Sequence, residues 1–537
     1  MIDRGSNNHG QEGKRQERAP IGLGLTLWAA ALAVVAFLVI WPLVAGMVSC
    51  CDDVNYSRVA QVRGTLGDNF SYWWHAHVFR PADLFSICLV NTETLDARPA
   101  LLLHLPALVA ILGAMWVALK RLTPHHRLYF PLAVLLWCLH LATNVAFWQH
   151  DTIAQTWVAA CGLWLGLLVW EAIERAWAGK SLGRQLVTIL LICVLGVLSK
   201  EIFYSWIATM GALLLVTGMV ALRRGQKQVL VPLGCILLVV IVVPLCFVAV
   251  RWFAGGMSMV TSERMGRYHM QFGLNVIRNA VMAALGYFAL APIHVLRDPR
   301  APLVLKLVPL LAIGLNFLLC AGPWFILWRR HRNWPARPSG TTMAAIVLVT
   351  FFSVSATLPM GQISELYLLG PNVGAVILLT ISLAGWWHLL GAGSTERVSG
   401  RWNAGRLVLV GAALVLIACG VYGVASRSYH FRVTWTYAAE LNRVLLDHQR
   451  SLPADKNRVI NVYLPPACTE GLVHSQYVET PLDALCAGKL YLKPIETWFN
   501  RHDPLRRMRL VWGAPTAPLA PGDLVLDCAG LPHRQHW

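Results

Sequence analysis

The chain is 537 residues long, 56% hydrophobic and only 13% charged. That balance excludes an ordinary soluble protein of this length, and several apolar runs reach the ~20 residues that a bilayer-crossing helix needs. The net charge of +18 does not call for nucleic acid, because Lys and Arg gathered in alternate loops are a topology signal.

Residues 1–20 are polar, carry Lys14, Arg15 and Arg18, and read as a cytoplasmic tail. The first span runs from about 22 to 48; it is long and lacks a clear small-residue cleavage site, so it is expected to stay as a helix. A long loop, about 49–99, follows. It opens with Cys50-Cys51-Asp52-Asp53-Val54-Asn55-Tyr56 and continues through Trp73-Trp74-His75-Ala76-His77-Val78-Phe79-Arg80-Pro81. Two adjacent carboxylates at the end of a span are costly unless they have a function or face water.

Further spans are expected at about 100–119 and 128–147, at a fourth stretch ending near Trp170, and at about 185–198, 202–222 and 229–250. Between them stand the turn Trp148-Gln149-His150-Asp151 and the break Ser199-Lys200-Glu201. Residues 277–295 read as an interfacial or re-entrant helix, because a full span there would put the basic Arg329-Arg330-His331-Arg332 cluster outside. Arg278 and Asn279 fit that reading. Spans at about 303–328, 341–360, 368–390 and 406–426 complete about eleven. With the N-terminus inside, the Lys/Arg-rich short loops then fall on the cytoplasmic side.

Residues 428–537 are far less hydrophobic and read as a small α/β domain on the outer side. A helix is expected at Tyr437–Gln449 and a strand at Val459-Ile460-Asn461-Val462-Tyr463-Leu464. Cys468, Cys486 and Cys528 would lie in an oxidising compartment, with Cys468–Cys486 the preferred disulfide on sequence proximity. Seven other cysteines (Cys138, Cys161, Cys193, Cys235, Cys246, Cys320 and Cys419) lie inside apolar runs and read as small packing residues. No Cys/His spacing signals a metal, and no cofactor is indicated.

This topology sorts the ionisable groups. Asp52, Asp53, Arg80, His150, Asp151, Lys200, Glu201, Glu263, Arg264, Arg267, Glu365 and Tyr367 all fall at outer ends of spans or in outer loops. Acids and bases gathered at headgroup level suit glycosyl transfer from a lipid-linked sugar. A carboxylate takes the proton from the acceptor hydroxyl, and cations stabilise the departing lipid phosphate.

The stretch Asp52-Asp53-Val54-Asn55-Tyr56 resembles the first outer loop of GT-C glycosyltransferases, a superfamily that includes the protein O-mannosyltransferases and the bacterial aminoarabinose transferase. Phe79-Arg80-Pro81, Gln149-His150-Asp151, Ser199-Lys200-Glu201 and Ser364-Glu365-Leu366-Tyr367-Leu368 are similar to stretches in the same superfamily, especially the transmembrane mannosyltransferases with TPR repeats. Leu366 stands where Arg is usual in that last stretch, and a TPR array is lacking.

The resemblance, over about residues 22–390, implies a multi-span GT-C fold, an inverting transfer and a polyprenyl-phosphate donor. It implies Asp52 as general base with Asp53 in support, and Asp151 as the second-loop acid. Arg80 and Lys200 are then the phosphate contacts, while His150, Glu201, Glu365 and Tyr367 line the cavity. The implied partners are a lipid-linked sugar donor, a glycan, lipid or protein acceptor, and membrane lipids, on the outer face of a bacterial inner membrane. Two other readings are a polysaccharide polymerase or ligase and a non-enzymatic transporter of lipid-linked glycans. A transporter usually carries its charges near the bilayer midplane, within paired repeats.

Overall fold

The computed structural model describes residues 21–47, 89, 94–149, 152–200, 202–255, 272–288, 290, 302–330, 340–359, 365–391, 404–465 and 489–527. These form a helical bundle with a small three-stranded lobe at its C-terminal end. The helices are α1 (Ile21–Val44), α2 (Leu101–Leu122), α3 (His126–Cys138), α4 (Leu141–Phe147), α5 (Ile153–Trp177), α6 (Gly183–Ser199) and α7 (Phe203–Arg223). They continue as α8 (Leu230–Gly255), α9 (Leu274–Phe288), α10 (Leu303–Arg330), α11 (Gly340–Phe352), α12 (Leu369–Gly391), α13 (Ala404–Ser451) and α14 (Lys489–His502).

Among the described residues eight helices, α1, α2, α5, α7, α8, α10, α12 and α13, are long and apolar enough to cross a membrane, or nine if the bent pair α3–α4 is one span. Their lipid-facing character shows in outward Leu, Val, Ile and Phe side chains such as Leu102, Val109, Leu215, Val231 and Phe317. The sequence expectation of about eleven spans differs at two short helices. Helix α6 has 17 residues, about 26 Å of rise against a ~30 Å hydrocarbon core. Helix α11 stops after 13 residues. There the Thr350 hydroxyl bonds to Ile346 O, Ser353 Oγ to Thr350 O and Thr357 Oγ1 to Val354 O. Side chains that compete in this way for backbone carbonyls favour a turn over further helix.

The expected span at 128–147 is broken, with α3 and α4 meeting at 71°. Both sides of the break are capped by side chains. His140 Nδ1 accepts from Ala142 N at the start of α4, and Asn144 Nδ2 donates to Cys138 O at the end of α3. Each bond satisfies a backbone group that a helix end leaves open.

Helix α9 has 15 residues, too few to cross a bilayer. It shows apolar Leu274, Ile277 and Val281 outward, while Asn279 is buried and its Nδ2 donates to Leu358 O. Asn279 therefore anchors α9 to the turn after α11 rather than meeting an interface. Of the seven cysteines in apolar runs, Cys138, Cys161, Cys193 and Cys419 are buried, Cys320 is half-buried, and Cys235 and Cys246 face outward.

Helix α13 is 48 residues long and passes unbroken through positions 427 and 428. No Gly or Pro follows Gly423 within it, so nothing in the sequence interrupts it. Its last turns carry the expected helix at Tyr437–Gln449. They enter a lobe of three parallel strands, β1 (Val459–Leu464), β2 (Arg507–Trp512) and β3 (Leu524–Val525), in the order β2-β1-β3. The alternation Ile460, Val462, Leu464 turns one face of β1 inward. Those residues pack with Leu445, Leu446, Trp498, Phe499, Met508 and Leu510. Gln449 Nε2 locks the helix to the lobe by donating to Phe499 O and Arg506 O. Cys468, Cys486 and Cys528 lie outside the described residues.

Candidate active site

Three contacts set the relative direction of α2 and α5. Trp157 Nε1 donates to Leu103 O at 3.1 Å and Trp164 Nε1 to Ala110 O at 2.9 Å, while Arg121 Nη2 meets Glu171 Oε2 at 2.8 Å. Helices α2 and α5 thus run parallel. Their final turns form one end of the bundle, where Gln185 also reaches Glu171 and Arg224 lies 5.9 Å over the Trp177 ring. This end carries Lys120, Arg121, Arg175, Lys180, Arg184, Arg223 and Arg224 and is called the basic end.

The opposite end gathers the flanks of the sequence-predicted site. Ala97 N donates to Met47 O at 3.2 Å, so the two limbs of the segment between α1 and α2 meet at a neck beside the start of α2. At this neck Leu95 is buried with φ +60°, a conformation costly for an L side chain. Asp96 grips Arg98 through both oxygens, at 2.9 and 3.1 Å to Nε and 2.6 Å to Nη2. The Arg98 guanidinium holds the Asp96 carboxyl below the usual carboxylate range.

The Gln149 carbonyl, just before His150-Asp151, accepts from two buried side chains. His104 Nε2 donates at 3.0 Å and Thr152 Oγ1 at 2.7 Å. The turn is therefore pinned on both sides, by α2 and by the entry to α5. Trp148 Nε1 donates to Leu38 O and its ring meets Phe431 edge-on, which ties the turn to α1 and α13 as well.

Lys200 ends α6 in extended backbone, half-buried, and its carbonyl accepts from Phe203 N at 3.1 Å. The α6–α7 hairpin is closed by the Phe203 ring lying on Gly196, where any Cβ would collide with it. The 3-10 turn Glu365–Leu368 precedes α12 directly. Tyr367 and Leu368 are buried in one cluster with Ala142, Val158, Ile202, Phe203 and Trp206. Gly370 fits against the Trp206 ring and the backbone of Ala159. The turn before α5, the α6–α7 hairpin and the turn before α12 thus share one apolar floor.

Of the residues singled out in the sequence, Lys200 and Tyr367 lie at this end, and Glu365 is placed there through its backbone. Asp52, Asp53, Arg80, His150, Asp151 and Glu201 lie outside the described residues, as do Glu263, Arg264 and Arg267. Asp96, Arg98, His104, Thr152, His140 and Asn372 were not singled out by sequence. His104 and His140 carried the only signal available, a lone polar residue inside an apolar run. Among the described residues no group of three His, Cys, Asp or Glu side chains is placed to hold a metal ion.

No family model matches the chain, and no curated protein matches it. The chain is similar to the crystal structure of ArnT from Cupriavidus metallidurans in the apo state, with 16% identity and a TM-score of 0.39, over 86% of this chain and 85% of that chain.

Proposed function

We propose that the protein is an inverting glycosyltransferase of the GT-C type. It moves a sugar from a polyprenyl-phosphate donor to an acceptor hydroxyl on the periplasmic face of a bacterial inner membrane. One observation carries the reading. The flanks of the segments that resemble GT-C stretches meet at the end opposite the basic end: the neck at Met47 and Ala97, the turn at Gln149 and Thr152, Lys200, and Tyr367. The positive-inside rule puts the basic end in the cytoplasm and this end outside. The C-terminal lobe then lies in the periplasm.

In this mechanism the acceptor oxygen attacks the anomeric carbon from the face opposite the phosphate. The bond from that carbon to the phosphate oxygen breaks, and configuration inverts. Asp52 takes the hydroxyl proton as the new bond forms, and Asp53 and Asp151 orient the reacting groups. Arg80 and Lys200 receive the charge that builds on the leaving phosphate. Glu365 and Tyr367 shape the floor beneath the sugar.

The test is transfer from polyprenyl-phosphate mannose and polyprenyl-phosphate aminoarabinose by wild type and Asp52→Asn. Loss of a general base is expected to lower kcat by about 10²–10⁴-fold. Full activity in the variant removes Asp52 from the role.

A further inference from the structure

His140 stands at the break between α3 and α4, 2% exposed. Both of its ring nitrogens are engaged, and their partners fix its tautomer. Ala142 N–H donates to Nδ1 at 3.2 Å, so Nδ1 is an acceptor and the proton sits on Nε2. Nε2–H donates to Gly286 O at 2.9 Å, near the end of α9. Asn372 Nδ2, in the first turn of α12, donates to the same Nδ1 at 2.9 Å.

Asn372 is fully buried, and its Oδ1 makes no hydrogen bond. Burying an amide with one end unsatisfied is unfavourable. Among the described residues the hydrogen bond of its side chain is the one to His140. One imidazole therefore ties three elements. Two of them run into parts of the candidate site, α4 into the turn at Gln149 and α12 out of the turn Glu365–Leu368.

We propose that His140, held by Asn372, is a positioning residue for glycosyl transfer, setting the turn before α5 against the turn before α12. This rests on the reading of the chain as a glycosyltransferase. The ring carries out no proton transfer. Neutral and saturated with partners, it fixes the spacing between two walls of the site. Misplacement of about 1 Å in such a wall can cost on the order of 10²-fold in rate.

The experiment uses the full chain in lipid nanodiscs, with His140→Ala, Asn372→Ala and the double variant beside Asp52→Asn. Transfer is measured with the two donors named above, together with thermal unfolding and amide hydrogen exchange. Each single variant is expected to lower kcat at least about tenfold with KM for the donor little changed. The double variant should be no worse than His140→Ala alone, because the bond that Asn372→Ala removes is already lost with the ring. Exchange should rise together in 149–152 and 365–371, with the protein still folded at the assay temperature. Unchanged kcat, additive losses, or a loss that follows the fraction of unfolded protein would overturn the proposal. If Asp52→Asn stops transfer while His140→Ala leaves kcat intact, the positioning role fails and the enzymatic reading stands. If wild type transfers neither sugar, the enzymatic reading is what fails, and hydrogen exchange alone decides the tie. Unchanged exchange in both segments then rejects it.

Discussion

At Gly370 the first turn of α12 lies so close to α5 and α7 that a Cβ would stand 2.7 Å from Trp206 Cζ2 and 3.3 Å from Ala159 Cα. The indole is buried and the second neighbour is backbone, so neither yields cheaply. Gly370→Ala is expected to destabilise the protein by about 1–3 kcal/mol, read as a lower thermal midpoint in detergent. Asp96 should make the neck sensitive to pH. Its carboxyl is held below the usual range chiefly by the hydrogen bond from Arg98. Its contribution is therefore complete above the ordinary carboxylate pKa of about 3.9 and is lost as pH falls through the lowered value. Arg98→Gln should lower the thermal midpoint at neutral pH, and the difference from wild type should shrink in acid. An unchanged difference at low pH would show that the pair does not stabilise the neck through charge. Asp96 and Arg98 were not singled out in the sequence, and only the contact of Ala97 with Met47 makes their stretch a neck.

Among the elements, the Gln149 turn is held by side chains from two helices rather than by its own sequence. Thr152→Val keeps the shape of the side chain but removes its hydrogen bonds to Ala146 O and Gln149 O. A loss of about 1–2 kcal/mol is expected, with faster exchange confined to the turn. Helix α13 spans about 72 Å at 1.5 Å per residue, more than twice the ~30 Å hydrocarbon core. It therefore extends past the bilayer into the C-terminal lobe. Gln449→Leu removes both bonds that clamp the lobe and should speed trypsin cleavage within 452–527 while leaving the bundle intact. Equal cleavage rates would mean that the apolar cluster around Trp498 and Phe499 suffices. The helix at Tyr437–Gln449 and the strand at Val459–Leu464 were legible from periodicity alone. That the helix continues the last span was not, because a shift from apolar to amphipathic residues marks a change of surroundings and not a change of backbone.

For the whole molecule, the sidedness of the bundle is open to direct measurement. In a variant with the native cysteines replaced, a single cysteine at Thr94, beside the neck, should react with a membrane-impermeant thiol reagent from the periplasm. One at Arg224, at the basic end, should react only after the inner membrane is opened. The reverse pattern would invert the proposed topology. Hydropathy alone identifies a membrane protein, because apolar runs of bilayer length separated by basic loops allow no other solvent. The polar C-terminal piece with its strand at Val459–Leu464, and the grouping of ionisable residues in alternate loops, are likewise legible along the chain. How the flanks of those loops meet is visible only in three dimensions. The break at His140, the neck between Met47 and Ala97, and the seat of Gly370 on Trp206 join residues up to 232 positions apart, as His140 and Asn372 are. Hydropathy reports the medium around each segment and is silent on which segment lies beside it. Within lipid that choice falls to close packing and a few buried hydrogen bonds.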